Sequence, residues 1–398
     1  MRVGFNYPNS LNRFGSDFGP DIWASSSDWN RDNALEQAGN VSAIPLPPLF
    51  GHIDRNLANL KKMGFSVIRW FLLGNGNSYG PAPTAHAVPT GQLKPGGRMT
   101  TYTDYTFTPP PAVDKRFRRD FEELLKRFQT AQLQLIPSLV SFEFGSNVKA
   151  GPGNNNTGYG GRADAIRDQA KRKVFFDTML TELLAASKPY AAQIYAWEVI
   201  NEPVWLCQNI GALSNPMWAP HMPEMSWSTM NDFLKDAAQR IFNAGFKSTV
   251  GHRYYDDIAR AEPGAIPQFH YYAEHQWYAV GQYKSDPANI KGAGLFSTSP
   301  RPFLGELDSA ENRFGDPWTK DLGSGDSTSA RLRLLESEGC ELVLLWPDYA
   351  GCKPGRVSAA TIAAEQETVM KNDVIKLLPS TRREVIAYTG GTLPPANE

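Results

Sequence analysis

The stretch His52–Leu73, HIDRNLANLKKMGFSVIRWFLL, carries the pattern that decides the fold. Ile53, Leu57 and Leu60 recur at helical spacing on one face. Gly64 stands where a helix ends in a left-handed residue. Ser66 to Leu72 then runs apolar and β-branched or aromatic, as a strand does. The pattern returns at Asn231–Gly251, with Phe233, Ala237 and Ile241 as the stripe and Gly245 as the stop. It returns again at Ser327–Trp346, with Gly339 as the stop. Two more units lack the glycine. Lys115 to Thr130 places Phe117, Phe121, Leu124 and Phe128 on one face ahead of the strand LQLIPSLV, and a longer helix, Asp164 to Ser187, precedes the strand IYAWEVI.

Strands alternating with helices imply a parallel sheet covered by helices. Eight candidate strands can be counted: Arg2–Asn6, Ser66–Leu72, Leu133–Leu139, Ile194–Val199, Ser248–Gly251, Gln268–Tyr271, Pro302–Gly305 and Glu341–Leu345. Eight favours a closed (β/α)8 TIM barrel over an open, doubly wound sheet. The helix between the fifth and sixth strands is short. The chain of 398 residues suits one such barrel with large loops, since the fold takes ~250 residues and grows by insertion. The expected domain is a single barrel over residues 1–377, ending in a helix Ala359–Leu377, with an irregular tail over 378–398.

The strand-to-helix connections are long: about Tyr7–Phe50, Leu73–Asp114, Ser141–Ala163, Asn201–Ser228, Ala273–Pro300 and Leu307–Asp326. In a TIM barrel these loops build the face where active sites lie. They hold Trp23, Trp29, Trp205, Trp218, Trp227, Trp277 and Trp318. Aromatic residues on such loops offer stacking surfaces for a ligand or pack the loops themselves.

Bulk properties exclude several classes. Hydrophobic residues make up 41% of the chain, enough for a large core. A net charge of −1 gives no field to gather nucleic acid or an acidic membrane. The three cysteines, Cys207, Cys340 and Cys352, lie at no metal-ligand spacing. The six histidines contain no His-x-His pair, which argues against a catalytic metal, and no cofactor motif is present. No apolar run is long enough to span a membrane. The N-terminus shows no signal peptide pattern, leaving a cytoplasmic protein or a secreted one whose signal has been removed. Oligomeric state is not encoded in any pattern found.

Two carboxylates stand at strand ends. Trp197-Glu198-Val199-Ile200-Asn201-Glu202-Pro203 puts Asn201 and Glu202 at the mouth of the fourth strand. Alternation would point Glu198 and Glu202 to the same side, Glu198 deeper. Burial among Trp neighbours would raise the pKa of Glu202. Alone, an Asn-Glu-Pro tripeptide is equally a strand-ending turn. Arg301-Pro302-Phe303-Leu304-Gly305-Glu306-Leu307 puts Glu306 at the mouth of the seventh strand, with Asp308 and Glu311 further along.

In order and position this pair resembles the clan A glycoside hydrolases, and most closely family 5, the cellulase and mannanase group. The resemblance spans roughly residues 1–377. It implies a retaining enzyme that cleaves β-glycosidic bonds, with Glu202 as acid/base and Glu306 as nucleophile, on an oligo- or polysaccharide. It further implies that Arg69 binds Glu306, that Asn201 contacts the sugar 2-hydroxyl, that Tyr272 donates to the nucleophile carboxylate, that His270 lines the subsite, and that Trp346 lies under a sugar ring. A structural ion pair would explain Arg69 equally, and a core position would explain His270. Trp205 adds an aromatic surface beside Glu202. At the end of the third strand family 5 has a histidine, where this chain has Phe142 and Glu143; Glu143 would bind a sugar hydroxyl or pair with an arginine. A non-catalytic carbohydrate-binding barrel and a transglycosylase with the same covalent intermediate are the alternative readings.

Overall fold

The computed structural model describes residues 1–7, 34–35, 38–44, 46, 50–74, 84–87, 103–106, 115–145, 162–207, 225–260, 264–271, 294–308, 328–346, 377 and 379–394. Eight parallel strands form one sheet: β1 Arg2–Tyr7, β2 Val67–Leu73, β3 Gln134–Ser141, β4 Trp197–Asn201, β5 Ser248–Gly251, β6 Gln268–Tyr271, β7 Phe303–Asp308 and β8 Leu342–Trp346. Their order is β5-β4-β3-β2-β1-β8-β7-β6. The isolated bridges Thr249–Ile266 and His252–Phe269 bring β5 to β6 and nearly close the ring. This is a (β/α)8 TIM barrel.

Helices flank it, most of them where periodicity placed them. They are α1 Phe50–Lys62, α2 Lys115–Ala131, a helical run α3 over 169–187, α4 Trp227–Asn243, α5 Thr328–Ser337 and α6 Pro379–Thr389. Phe117, Phe121, Leu124 and Phe128 of α2 are all fully buried, each worth roughly 1.5–3 kcal/mol of burial. Gly64, Gly245 and Gly339 take positive φ as helix stops.

The core is layered. Ile68, Trp70, Leu135, Val343 and Leu345 belong to the large cluster between sheet and helices. Their strand neighbours Val67, Ile136, Phe303, Leu342 and Leu344 form a separate cluster that fills the barrel interior. The polar residues of the site stand further along the same strands.

Four features differ from the sequence expectation. The segment after Pro379, expected to be irregular, is the helix α6. Its buried stripe is only Thr381 and Val385, too short to stand out among Arg382, Arg383 and Glu384. It closes the barrel base, where Thr389 Oγ1 donates to the Met63 carbonyl at 2.7 Å and Thr392 N to the Lys62 carbonyl at 2.8 Å. The expected single helix 164–187 is interrupted, because the Asp168 side chain caps the N–H groups of Ala170 and Lys171 and starts α3 afresh. The short helix expected between β5 and β6 is a 3-10 turn, Tyr255–Arg260, rather than an α-helix. Finally, Thr84–Ala87 and Thr103–Thr106 pair as an antiparallel hairpin within the loop after β2. The expected helix 359–377 lies outside the described residues, apart from Leu377.

Candidate active site

Arg69, on β2, is completely buried and commits all five of its N–H groups. Nε and Nη2 donate to the two oxygens of Glu198, each at 2.7 Å. Nη1 donates to Asn6 Oδ1 at 3.0 Å and to Glu306 Oε1 at 2.6 Å, and Nη2 also donates to Asn201 Oδ1 at 2.7 Å. Burial works against the guanidinium charge, but Glu198 and Glu306 outweigh it and hold Arg69 firmly protonated. Glu198 also accepts from Ser138 Oγ at 2.6 Å and Gln268 Nε2 at 2.8 Å. One buried cation thus anchors two buried carboxylates, and at Glu198 the neutral donors Ser138 and Gln268 add to it.

Local strand irregularities make this possible. In strict alternation Glu198 and Asn201 would face opposite ways. Between them the register of β4 against β5 shifts, Glu198 pairing with Thr249 and Asn201 with Gly251. Such a bulge re-aims side chains, and both residues reach Arg69. A second shift on β7 sets Leu304 opposite Phe269 and Glu306 opposite His270. The residue passed over is Gly305, where a Cβ would sit 2.1 Å from Gln268 Nε2.

Glu202 follows the end of β4 in a left-handed conformation, φ 47°, which costs a non-glycine residue roughly 1–2 kcal/mol. Its N–H donates to the Gly251 carbonyl at 2.7 Å. Trp205 Nε1 donates to Glu202 Oε2 at 2.7 Å, and Arg253 Nη1 lies 3.7 Å from the same oxygen. The Arg253 guanidinium stacks on the Trp205 ring at 4.3 Å. His270 Nδ1 lies 3.0 Å from Glu202 Oε1 and 3.5 Å from Glu306 Oε2. An ionised carboxylate only accepts, so this contact assigns the Nδ1 proton to His270.

The expected upward shift of the Glu202 pKa is corrected here. Burial does push it up, but the charge of Arg253 and the contacts from His270 and Trp205 outweigh burial and hold Glu202 well below the usual carboxylate range. The Trp neighbours are visible in the local sequence around Glu202, and the cation is not. Arg253 follows the end of β5, in Gly251-His252-Arg253, and only that strand-end position marks it.

The remaining candidates divide. Arg69, Asn201, His270, Trp205 and both carboxylates come together. Trp346 is buried at the end of β8. Glu143 begins the short helix Phe142–Gly145; its side chain, all of Tyr272, and Trp23, Trp29, Trp218, Trp277 and Trp318 lie outside the described residues. Among the described residues, Glu202, His270 and Glu306 form the one group of metal-ligand type, with one donor atom of each within 4.8 Å of the others. Arg69 and Arg253 already present positive charge to its carboxylates, which suits a hydrogen-bonded acid pair rather than a metal ion.

No family model matches the sequence. No curated protein matches it. Solved structures do match it in fold. A β-mannanase from the blue mussel Mytilus edulis superposes with a TM-score of 0.53 at 15% identity, covering 88% of each chain. A β-1,4-mannanase from the sea hare Aplysia kurodai gives 0.54 at 14% identity, covering 99% of this chain and 94% of the other. A broad-specificity endoglucanase of family 5 from Ruminococcus champanellensis, with bound cellotriose, gives 0.51 at 12% identity, covering 98% and 96%. The chain shares the barrel fold of these mannanases and this endoglucanase. In this barrel Glu202 directly follows β4 and Glu306 lies on β7. Among the described residues, no helix is long and apolar enough to cross a membrane.

Proposed function

We propose that this protein is a glycoside hydrolase that cleaves β-linked oligo- or polysaccharides with retention of configuration. The observation that carries this reading is the pair of buried carboxylates, Glu202 and Glu306, with oxygens within 4.8 Å of one another. A retaining enzyme needs its two carboxyl groups ~5–5.5 Å apart, one as nucleophile and one as acid then base. The fold likeness to mannanases and endoglucanases supports β-1,4-mannan and β-1,4-glucan as the substrates to test first.

The surroundings divide the roles. Arg69 donates to Glu306 at 2.6 Å and favours its ionised form, as a nucleophile requires. Glu306 attacks the anomeric carbon while protonated Glu202 gives its proton to the departing glycosidic oxygen. Glu202, now a carboxylate, takes a proton from water. That water attacks the anomeric carbon, releases Glu306 and yields a product of unchanged configuration. Asn201 is held beside this centre by Arg69, where it would donate to the sugar 2-hydroxyl as oxocarbenium character develops. Trp205 and Trp346 would supply apolar faces to sugar rings.

A glycan-library screen tests this directly. The expected result is cleavage of a β-linked glycan, with the β-anomer formed first by NMR. An α-anomer as first product would overturn the retaining mechanism, and undiminished turnover in Glu202→Gln or Glu306→Gln would overturn the residue assignment.

A further inference from the structure

Glu202 is served differently at its two oxygens. Oε1 faces His270 from β6, which leans also toward Glu306 of β7. Oε2 faces Trp205, on the short helix Val204–Cys207 that follows Glu202, and Arg253 from the end of β5. Among the described residues these are the charged or titratable groups that face Glu202: Arg253, His270 and Glu306. Arg69 of β2 is directed at Glu198, Asn6, Asn201 and Glu306 instead.

Arg253 does not reach Glu202 as a loose surface cation. Its side chain is about as buried as that of Glu202, at 9% exposure each. Its guanidinium carbon sits 4.3 Å from the centre of the indole that donates to the same oxygen. This cation–π contact holds the charge beside Oε2 where water is scarce. An opposite charge this close favours the ionised carboxylate.

We propose that Arg253, stacked on Trp205 and paired with Glu202, is a positioning residue that confines catalysis to acidic pH. This rests on the hydrolase reading above. The first chemical step needs Glu202 protonated, so every group that stabilises its carboxylate moves the alkaline limb of activity to lower pH. Glu306, a like charge across the site, works in the other direction. Burial does too. Arg253, Trp205 and His270 prevail, and the net displacement of Glu202 is downward. Of these three, Arg253 alone carries a permanent charge, and it is the one whose loss moves the limb furthest.

The test uses Arg253→Met and Arg253→Lys in the full chain, with two readouts. The first is a carbon-13 NMR titration of the glutamate carboxyls, with Glu202→Gln assigning the Glu202 signal. It needs no substrate. The second is the pH dependence of kcat/KM on β-1,4-manno- and gluco-oligosaccharides. Arg253→Met is expected to raise the Glu202 titration and the alkaline limb together, by at least about one pH unit. Arg253→Lys is expected to return both toward wild type even where kcat falls, because it keeps the charge and changes only its contact with the indole. Arg253→Gln carries the same test if Arg253→Met does not fold. An unmoved titration, or a lysine variant displaced as far as the methionine variant, overturns the proposal. A moved titration in a protein that cleaves no glycan overturns the hydrolase reading, and the pH claim with it.

Discussion

The surroundings of Glu306 and of Glu202 are built in opposite ways. Glu306 stands on a strand, and its cation, Arg69, is itself held by strand residues: Asn6 on β1, Glu198 and Asn201 on β4. Everything beneath it is rigid sheet. Glu202 sits one residue past its strand with a left-handed backbone, and its partners come from a short helix, Trp205, and from beyond a strand end, Arg253, as well as from His270 on β6. The difference suits the proposed division of labour. A nucleophile must start ionised from one fixed position, whereas an acid/base must give up a proton in one half-reaction and take one back in the next. Groups that change state are better placed at the rim than in a saturated network, where an altered charge would leave buried donors unpaired.

Breaking each half should give different signatures. The largest effects belong to the carboxylates themselves. Glu202→Gln should lower turnover of a natural glycan by about 10²–10⁴-fold, and Glu306→Gln by more. An aryl glycoside with a good leaving group needs little protonation. Its glycosylation step, measured as a burst, should recover in Glu202→Gln and stay absent in Glu306→Gln. Equal recovery in both would erase the distinction.

Next in size is the anchor under Glu306. Glu198→Ala leaves Arg69 with two donors unpaired in a completely buried place, and breaking such a pair costs about 3–5 kcal/mol. Urea unfolding should show that loss, together with reduced turnover. Arg253→Ala at the rim should cost clearly less stability.

A smaller loss is expected where the sheet has no room. At Gly305 a Cβ would meet Gln268 Nε2, a donor to Glu198, at 2.1 Å. Gly305→Ala should cost about 1–3 kcal/mol as an overpacked site. At Gly251 the nearest atom is Arg69 Nη2 at 3.0 Å, so Gly251→Ala should be milder in the same urea titration.

The smallest effect is in pH-dependent stability. Glu202 is held below its ordinary range when folded. Its contribution is therefore complete above the unfolded glutamate pKa of about 4.3 and is lost as pH falls through the folded value. Melting temperature should fall less steeply below pH ~4 in Glu202→Gln than in wild type. Parallel curves would mean that the free protein does not hold Glu202 as an anion.

Much of this was legible beforehand because strand and helix patterns are local. All eight strands lie within a few residues of the expected spans, and the apolar faces of α1, α2 and α4 are buried as their periodicity requires. Glu202 and Glu306 could be singled out because strand-end carboxylates at a barrel mouth share one position in the fold. Arg253 could not, since its value comes from β5 curling beside β4 and from an indole on another loop. The helix α6 was hidden by a stripe of only two buried residues. Glu198 was expected deeper in the barrel on the side of Glu202; how it meets Arg69 depended on a bulge that no residue in WEVIN announces.

By itself the sequence determined the barrel and the two acidic strand ends, because hydrophobic periodicity and helix stops act over a few neighbouring residues. Only the tertiary structure decided the direction in which Glu202 is displaced. Burial alone pushes its pKa up. A guanidinium 3.7 Å away, together with His270 and Trp205, reverses that sign, and an electrostatic balance of that kind depends on distances between residues far apart in the chain.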